Sequence, residues 1–514
     1  MMYARMLDAA RLLEQGAFTV RYLQIDSAAY RPLVQQIRQR NYRLLALVAR
    51  FQEGFSWIES CWSGGNHLLI LDLRLASGEL IYPDIADLYP VAQRMQRSIF
   101  DLHGLQVFHQ TGQAVDTRPW LNHGWSPECF PLRPDFDVDV EWQDRAYQFV
   151  RVQGAGIHEV AVGPVHAGTI EPGHFRFSVV GEKVLRLEQR LGYCHRGVDY
   201  LLSQTPLLEA APLAARCCGD STVAYSWAWA MAVEQALGVT PPSRAAGIRA
   251  LLLERERVAQ HLLDLGALAQ DAGWSLPMSW LSRLREDWLR SQQHWCGHRL
   301  MMDMIVPGGC VRDIDAETGQ RWLDESIQLM QNVETIFSRF EEHGGLQDRL
   351  MGAGYLSPAL AQRLGVCGLV GRASGQEMDV RHDVRYEPYR SVRPGKQVLT
   401  QGDVAARVQI RFAELFASLF LIGQLYEHLL EGPVLQPLPE IPALPTQGYG
   451  WVEGWRGEIL CVLHQDQGKI LRAHLHDPSW QNWPALEYAI LDNIIADFPL
   501  INKSFNLAYA GHDL

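Results

Sequence analysis

This 514-residue chain contains nine cysteines, whose thiols could bind metals or take part in redox chemistry. Their spacing limits which of these roles are possible. Cys217 and Cys218 are adjacent, and the other seven are scattered. No two cysteines are separated by two residues, so the sequence supports neither a zinc ribbon nor a thioredoxin-like site. It also lacks a four-cysteine set for an iron–sulfur cluster. We expect most of these thiols to pack in apolar surroundings in a reducing compartment.

Two sets of charged residues recur three and four positions apart, which places each set on one face of a helix. The first is Glu254, Arg257 and His261, and the second is Arg407, Arg411 and Glu414. Because the surrounding sequence is apolar, structural ion pairs are the favoured interpretation of both sets.

Composition excludes several classes of protein. The net charge of −12 gives no support to nucleic-acid binding, and no glycine-rich loop joins a strand to a helix, so a nucleotide site is not expected. The N-terminus lacks the pattern of a signal peptide. No window of about 18 residues is both apolar and uncharged. The nearest, residues 412–430, contains Glu414 and Glu427 and predicts a buried helix.

The order of the elements predicts two domains joined by a linker. Residues 1–140 alternate short strands and helices, including a strand at 67–75 and a helix at 89–102 that ends before Gly104. Residues 141–157 are predicted to be the linker. Residues 158–514 begin with a hairpin that turns at Gly181, continue through long helices and return to strands near the end. The long helical patterns cover residues 248–268, 277–303, 315–342 and 403–430.

The first domain resembles the 30 kDa-type subunit of respiratory complex I. The string YPVAQRMQRSIFDLHGL at 89–105 carries the spacing of that family in Arg97, Asp101 and Gly104. The extended tail that follows, with RPWL at 118–121, fits the same family. There, such a tail drapes over neighbouring subunits.

The second domain resembles the 49 kDa-type subunit, which shares its fold with nickel–iron hydrogenase large subunits. Matching segments occur in order through the whole domain, among them GPVHAGTIEPGHFRF, GYCHRGVDYL, VGRASGQEMDVR and ADFPLINKSFNLAYAGHDL. The resemblance implies an α+β N-terminal domain followed by a mainly α-helical, hydrogenase-large-subunit-like domain with peripheral β elements. The fusion and the EPGHFRF segment favour the energy-converting, formate hydrogenlyase-like branch.

The chain departs from hydrogenases at the nickel ligands. Nickel–iron sites need four thiolates from two motifs, because soft sulfur holds nickel and bridges it to iron. At the first motif Cys218 keeps one ligand position and Ser221 occupies the other. At the second motif Pro499 and Asn502 stand at the ligand positions. We therefore expect no nickel–iron centre and no metal bound by this chain.

Complex I lost the same cysteines and reduces quinone in the vacated cavity, so the resemblance implies a set of cavity residues. Those expected to deliver protons are His166, His174, Asp220, Tyr225 and Asp497. Those expected to line the acceptor site are Cys218, Ser221, Arg372 and Asn502. For Cys218, a buried thiol with no chemical role is as good an interpretation as a place in the acceptor site. For Arg372, an ion pair that holds its loop in place is favoured over a role in the site.

The resemblance also implies the setting. Electrons would arrive from a [4Fe-4S] cluster in a small partner subunit, and quinone or another small acceptor would be reduced. Antiporter-like and quinone-channel-like membrane subunits would complete a hetero-oligomer at the cytoplasmic side of the inner membrane. In such complexes, buried charged residues carry protons toward the membrane arm. The alternatives are a nickel–iron hydrogenase catalytic subunit and a non-catalytic scaffold.

Overall fold

The computed structural model describes residues 2–13, 16–109, 111–112, 114–121, 123–124, 129–140, 143–144, 147–168 and 170–514. The expected linker at 141–157 lies partly outside these residues. The first part is α+β, and the second is mainly helical with small sheets at its edges, as the sequence predicted.

The first part is built on a five-stranded sheet. Strands β2 and β5 are parallel and the other neighbours antiparallel, in the order β1-β2-β5-β4-β3. These strands are β1 (Arg11–Leu13), β2 (Val20–Ile25), β3 (Arg43–Gln52), β4 (Phe55–Ser63) and β5 (Leu68–Arg74). Short pairs follow as β6 (Ile81–Pro83) with β7 (Gln106–Phe108), and β8 (His123–Gly124) with β9 (Gln143–Asp144). The helices are α1 (Met2–Asp8), α2 (Ser27–Gln39) and α3 (Ala92–His103).

The second part opens with a three-stranded antiparallel sheet and continues as helices. Its strands are β10 (Ile157–Val162), β11 (His174–Val180) and β12 (Lys183–Arg190), then the pair β13 (Ile305–Val306) and β14 (Gly309–Cys310). A last antiparallel sheet comprises β15 (Thr446–Glu453), β16 (Glu458–Asp466) and β17 (Lys469–His476). The longest helices are α6 (Thr222–Leu237), α7 (Ser243–Asp271), α8 (Leu276–Cys296), α9 (Ala316–Glu342) and α14 (Val404–Glu427). The shorter helices are α4 (Val198–Gln204), α5 (Ala211–Ala215), α10 (Gly344–Leu350), α11 (Pro358–Leu364), α12 (Gly368–Ala373), α13 (Val380–Asp383), α15 (Ser479–Ala489), α16 (Phe498–Phe505) and α17 (Ala510–Asp513).

Helix α6 packs directly on strand β15, and two glycines make the contact possible. A Cβ atom at Gly450 would lie 1.7 Å from the carbonyl oxygen of Ala228, and one at Gly448 would lie 1.9 Å from that of Ala232. No side chain fits at these distances, so glycine lets strand and helix backbones touch. This contact fixes the loop after β15 against the start of α6.

Helix α14 is the one helix in the described part of the chain that is long and apolar enough to cross a membrane. Residues of its most apolar window are 61% buried inside the protein. It packs against α7 and α9. Length and composition alone do not separate a membrane span from a core helix, and this burial matches the core helix that the sequence predicted.

The two parts share one interface rather than meeting only through the tail. Glu59 of β4 accepts a hydrogen bond from His464 Nε2 of β16 at 2.6 Å, and Arg43 pairs with Glu458. Phe18 packs edge-on against Trp451, with ring centroids 5.9 Å apart. The first sheet therefore stabilises the last sheet, which carries the loop described below.

The tail of the first part is held through its backbone. Arg97 donates to the carbonyl oxygens of Arg118 (2.8 Å) and Pro119 (2.9 Å). Asp101 accepts from the amides of Trp120 (2.6 Å) and Leu121 (3.0 Å). The spacing noted in the sequence thus places both side chains on one face of α3, and Gly104 ends that helix with φ of +69°.

Candidate functional site

A compact polar cluster forms where the loop before α6 meets the loop after β15. We call it the central cluster: Cys218, Asp220, Ser221, Trp455 and Arg456. Arg456 donates to both oxygens of Asp220, at 2.6 and 2.5 Å. Asp220 Oδ1 also accepts from Cys218 Sγ at 3.0 Å and from Ser221 Oγ at 3.1 Å. Trp455 Nε1 donates to Ser221 Oγ at 3.0 Å. The Asp220 carboxylate is the centre on which these donors converge.

The charge state of the central cluster follows from its surroundings, in which Arg456, Cys218 and Ser221 are buried and Asp220 is partly exposed. Burial alone would favour the neutral acid, but the adjacent Arg456 guanidinium and the hydrogen bonds lower the pKa of Asp220. Burial and the Asp220 charge raise the pKa of the Cys218 thiol well above its usual range. The cluster therefore holds an ion pair beside a protonated thiol.

These residues do not fit a nickel–iron centre. Of the four positions that the sequence aligns with nickel ligands, only Cys218 is a thiol, and nickel–iron sites need four thiolates. The Ser221 hydroxyl already accepts a hydrogen bond from Trp455. Arg456 Nη1 lies 3.9 Å from Cys218 Sγ, which puts a cation where a metal would approach. The expectation that this chain lacks nickel ligands is thus supported by the chemistry of the donors.

Backbone geometry and one buried carboxyl position the first loop. Residues 219–221 form a single 3₁₀ turn that leads into α6. The first free amides of α6, those of Val223 and Ala224, donate to Glu256 of α7 at 2.7 and 3.2 Å. Burial raises the pKa of Glu256 to about 8, against the lowering effect of these two hydrogen bonds. Glu256 thus links α7 to the turn that carries Asp220.

Tyr225 lies one helical turn beyond Ser221 and is paired with an aspartate from another segment. Its hydroxyl donates to Asp477 Oδ2 at 2.7 Å. A Cβ atom at Gly511 would lie 2.6 Å from that oxygen and 2.7 Å from the hydroxyl. The C-terminal segment therefore lies directly against this pair.

His166 and Asn502 are brought together through Tyr509. The Tyr509 hydroxyl lies 3.5 Å from His166 Nε2. Burial raises the pKa of Tyr509, and a hydrogen bond from Asn502 opposes the rise. Burial also lowers the pKa of His166, which keeps its imidazole neutral near pH 7. Because Tyr509 and Gly511 belong to the same short segment, this group lies next to the Tyr225–Asp477 pair.

Two of the predicted site residues, Asp497 and His174, contact residues outside the central cluster. Asp497 is partly exposed and lies 3.5 Å from Arg349 in an ion pair. His174 is buried on β11, where its ring packs against Phe149 with centroids 5.1 Å apart. The structure shows no contact between these side chains and the central cluster among the residues that it describes, and their roles remain predictions.

Arg372 belongs to a buried ion-pair network, which agrees with the favoured interpretation of this residue. It donates to Glu414 Oε1 and to Glu453 Oε1, both at 2.8 Å. Glu414 Oε2 in turn lies 3.1 Å from His261 Nε2. The network continues through Glu254, Arg257, Asp379 and Arg381.

The network extends to the central cluster by two connections. The ring of His261 is perpendicular to that of Trp455, with centroids 6.2 Å apart. Arg456 Nε donates to the carbonyl of Asn506 at 2.6 Å, and the Asn506 amide donates to Asp264, the partner of Arg411. Both sets of charged residues singled out in the sequence are therefore buried and close to the site.

Sequence reasoning missed the residues that complete the site. Arg456, Trp455, Asp477 and Tyr509 come from late segments, and their partners lie 234 to 343 positions earlier. The segment GWRGE matched the family pattern, but nothing in its spacing identified Arg456 as the partner of Asp220. Glu256 was also missed, although it neighbours Arg257 in the sequence.

One group outside the site has the residue types of a metal site. Ligand atoms of Asp84, Asp87 and His109 lie within 4.8 Å of one another. Arg31 pairs with Asp87, and Thr111 donates to His109 Nδ1. Because Asp87 is already neutralised, we assign no metal here.

Three family descriptions match successive parts of the chain. "Respiratory-chain NADH dehydrogenase, 30 Kd subunit" matches residues 23–141. "Nickel-dependent hydrogenase" matches residues 196–270. "Respiratory-chain NADH dehydrogenase, 49 Kd subunit" matches residues 271–447. Their order is the one expected from the sequence motifs.

Individual relatives come from both branches. The chain is 29% identical to formate hydrogenlyase subunit 5 of Escherichia coli over 445 residues, 84% of this chain and 77% of that protein. It is 30% identical to the C/D subunit of NADH-quinone oxidoreductase from Bacteroides fragilis over 407 residues, 75% of this chain and 76% of that protein. A chain of the membrane-bound sulfane sulfur reductase, an archaeal respiratory membrane complex, superposes with a TM-score of 0.66 at 27% identity, covering 70% of this chain and 99% of that one.

The first prediction concerns the pair between the buried Arg456 and the partly exposed Asp220. Asp220→Asn leaves the Arg456 charge without its counter-ion, and we expect a loss of roughly 3 kcal/mol in the free energy of unfolding. The matched control is Asp303→Asn, whose partner Arg216 is exposed at the same 2.6 Å separation; we expect less than about 1 kcal/mol there. Chemical unfolding of the two variants measures both. Equal losses would contradict the assignment of Asp220 as the counter-ion that the buried Arg456 requires.

The second prediction concerns Glu256 and pH. Its pKa is raised to about 8 in the folded protein, so the folded state retains a proton that the unfolded state releases near pH 4.5. The free energy of unfolding should therefore decrease as pH rises from the unfolded-state pKa to the folded-state pKa of Glu256. The decrease should be roughly 1.4 kcal/mol per pH unit.

Glu256→Gln should reduce that slope, because glutamine does not ionise. Melting temperatures from about pH 5 to 9, a range that brackets the raised pKa, measure it. The exposed Glu317→Gln is the control that keeps the original slope. Identical slopes in both variants would show that Glu256 is not the titrating group.

Proposed function

Because this chain belongs to the family of fused 30 kDa- and 49 kDa-type subunits of NADH-quinone oxidoreductase, related also to nickel-dependent hydrogenases, we propose that it is the electron-accepting subunit of a membrane-associated redox complex. Its relatives are oxidoreductase subunits of complex I-like and energy-converting hydrogenase complexes, and its structural neighbour is part of a respiratory membrane complex. The acceptor we propose is a quinone or a similar small molecule, reduced without nickel.

The observation that carries this proposal is the Asp220–Arg456 pair at the first nickel-ligand motif. The pair, with Cys218 and Ser221 bound to it, replaces soft metal ligands by a fixed positive and negative charge. These donors do not suit nickel, and we propose that they stabilise charge that develops on an organic acceptor. Arg456 is the group that would face added negative charge, because it carries the positive end of the pair.

Electrons would reach the acceptor from a cluster in another subunit. The nine cysteines provide no four-cysteine set, so the chain cannot bind a [4Fe-4S] cluster of the usual type. We propose a small iron–sulfur subunit as the donor and antiporter-like and quinone-channel-like membrane subunits as the other partners. The chain would bind as a peripheral subunit at the cytoplasmic face of the inner membrane.

Quinone reduction consumes two electrons and two protons, and the protons need donors close to the acceptor. The neutral His166 beside Tyr509 and the Tyr225–Asp477 pair are the groups that could hold them. Reprotonation of these groups would draw on the buried network, in which burial and Asp379 raise the pKa of Glu453 to about 7. We propose that this network transmits the charge change toward the membrane subunits.

The third prediction is the metal content of the complex purified with its small subunit. We expect iron from the partner's cluster and no stoichiometric nickel, because the donor set around Cys218 does not suit nickel. Elemental analysis by mass spectrometry measures both metals in one sample. Stoichiometric nickel would refute the proposal and favour the hydrogenase alternative.

The fourth prediction separates a working subunit from a scaffold. His166→Gln should reduce quinone-dependent turnover of the complex by roughly 100-fold, since general acid–base groups contribute at least that much. His158→Gln, an exposed histidine on the neighbouring strand β10, should leave turnover unchanged. Full turnover in His166→Gln, with both variants assembled and folded, would favour the scaffold.

A further inference from the structure

A cavity of about 290 Å³ lies where the tail of the first part crosses the second part. Its walls come from α3, from the tail at residues 120–121 and 131–136, from the turn into α4 and from the start of α15. The residues that define it include Leu102, Trp120, Leu132, Phe136, Tyr200 and Trp480. Nothing in the proposed electron-accepting site uses this cavity.

Four aromatic side chains line the cavity, in two pairs. Trp120 and Trp480 are stacked with centroids 4.9 Å apart and planes inclined by 23°. Phe136 meets Tyr200 edge-on at 5.9 Å. Leu102 and Leu132 complete an apolar surface suited to a flat ring, since aromatic rings bind well by stacking and edge contacts.

Two polar side chains that line the cavity are only partly satisfied. Asp199 is 5% exposed; its Oδ2 accepts from Arg472 at 2.8 Å and from His474 at 3.1 Å, while its Oδ1 has no hydrogen-bond partner among the described residues. Trp480 is 4% exposed, and its Nε1 likewise has no partner there. A buried acceptor and a buried donor left unpaired each cost about 1–3 kcal/mol. A hydroxyl group offers both the hydrogen-bond donor that Asp199 Oδ1 lacks and the acceptor that Trp480 Nε1 lacks.

The charges around the cavity select against anions. The carboxylates of Asp199 and Asp513 line it. Arg196 also lines it, but its guanidinium donates to the carbonyl oxygens of Arg216 and Cys217, at 3.2 and 2.7 Å. Arg472 is likewise bound to Asp199. An uncharged ligand is therefore favoured over a carboxylate.

We propose that this cavity is a second binding site, for a small uncharged aromatic molecule that carries one hydroxyl group. Its volume lies at the lower end of ligand pockets, roughly 300–1,000 Å³, and suits a single substituted ring or a fused pair. The hydroxyl pairs with Asp199 and Trp480 while the ring lies against the aromatic walls. The site is separate from the acceptor site that we propose at the central cluster.

The fifth prediction uses three probes that share one ring: 4-ethylphenol, its methyl ether 4-ethylanisole, and 4-ethylbenzoate. Saturation-transfer NMR and calorimetry on the full chain should show binding of the phenol at millimolar concentration. The ether lacks the O–H donor and should bind roughly tenfold more weakly. The benzoate should not bind. If the phenol does not bind, or binds no better than the ether, the cavity holds water only and the proposal is overturned.

Two variants locate the binding. Leu132→Trp fills the cavity from a partly exposed position and should abolish phenol binding with little change in melting temperature. Leu201→Trp introduces the same ring at an exposed position next to Tyr200 but outside the cavity, and should bind as the original chain does. Phenol binding that survives Leu132→Trp would place the ligand elsewhere and overturn the proposal. Because the readout is binding, it does not depend on turnover or on partner subunits.

Discussion

The interior of this protein is organised around buried arginines, most of which are paired with a carboxylate. Arg372, Arg381, Arg411 and Arg456 are all nearly inaccessible, and each meets a carboxylate within 3.0 Å. Isolated, any of these charges would cost several kcal/mol, so helices α7, α12 and α14 and the loop after β15 can only pack in the arrangement that completes the pairs. The ion pairs therefore specify how the helices fit, beyond what apolar packing requires.

This constraint explains how a hydrogenase-like fold can lose its metal ligands without losing its structure. A nickel–iron centre ties its two motifs together through bonds to sulfur. Here Arg456 spans the equivalent region, holding Asp220 at one end and the backbone of Asn506 at the other. An ion pair and a hydrogen bond of Arg456 therefore connect the two segments in this chain. The same substitution changes the chemistry available, because a fixed ion pair stabilises charge on a ligand but does not bind hydrogen.

The fold was predictable from the sequence to the extent that it is set by local patterns. The helical spacing predicted α7, α9 and α14 to within a few residues at most of their ends, and Gly181 lies at the turn of the expected hairpin. One boundary was wrong: α8 ends at Cys296 rather than continuing to Asp303, because Gly297 adopts a left-handed conformation with φ of +81°.

The site was less predictable because its key contacts join distant parts of the chain. Asp220 and Arg456 are 236 positions apart, and Tyr225 and Asp477 are 252 apart. No periodicity relates such residues, so family motifs identified Asp220 and Tyr225 but not their partners. His174 lies on β11 with its ring packed against Phe149, and its role stays a prediction.

The hydrogen bonds of Arg97 and Asp101 with the tail backbone have an evolutionary consequence. Arg97 binds backbone carbonyl groups, which every residue has, and Asp101 binds backbone N–H groups, which every residue except proline has. The path of the tail is therefore held by α3 through its backbone, while Trp120 also packs in the core against Trp480. A lineage could alter the lining of the cavity at the partly exposed Leu132 or Phe136 without losing these backbone hydrogen bonds.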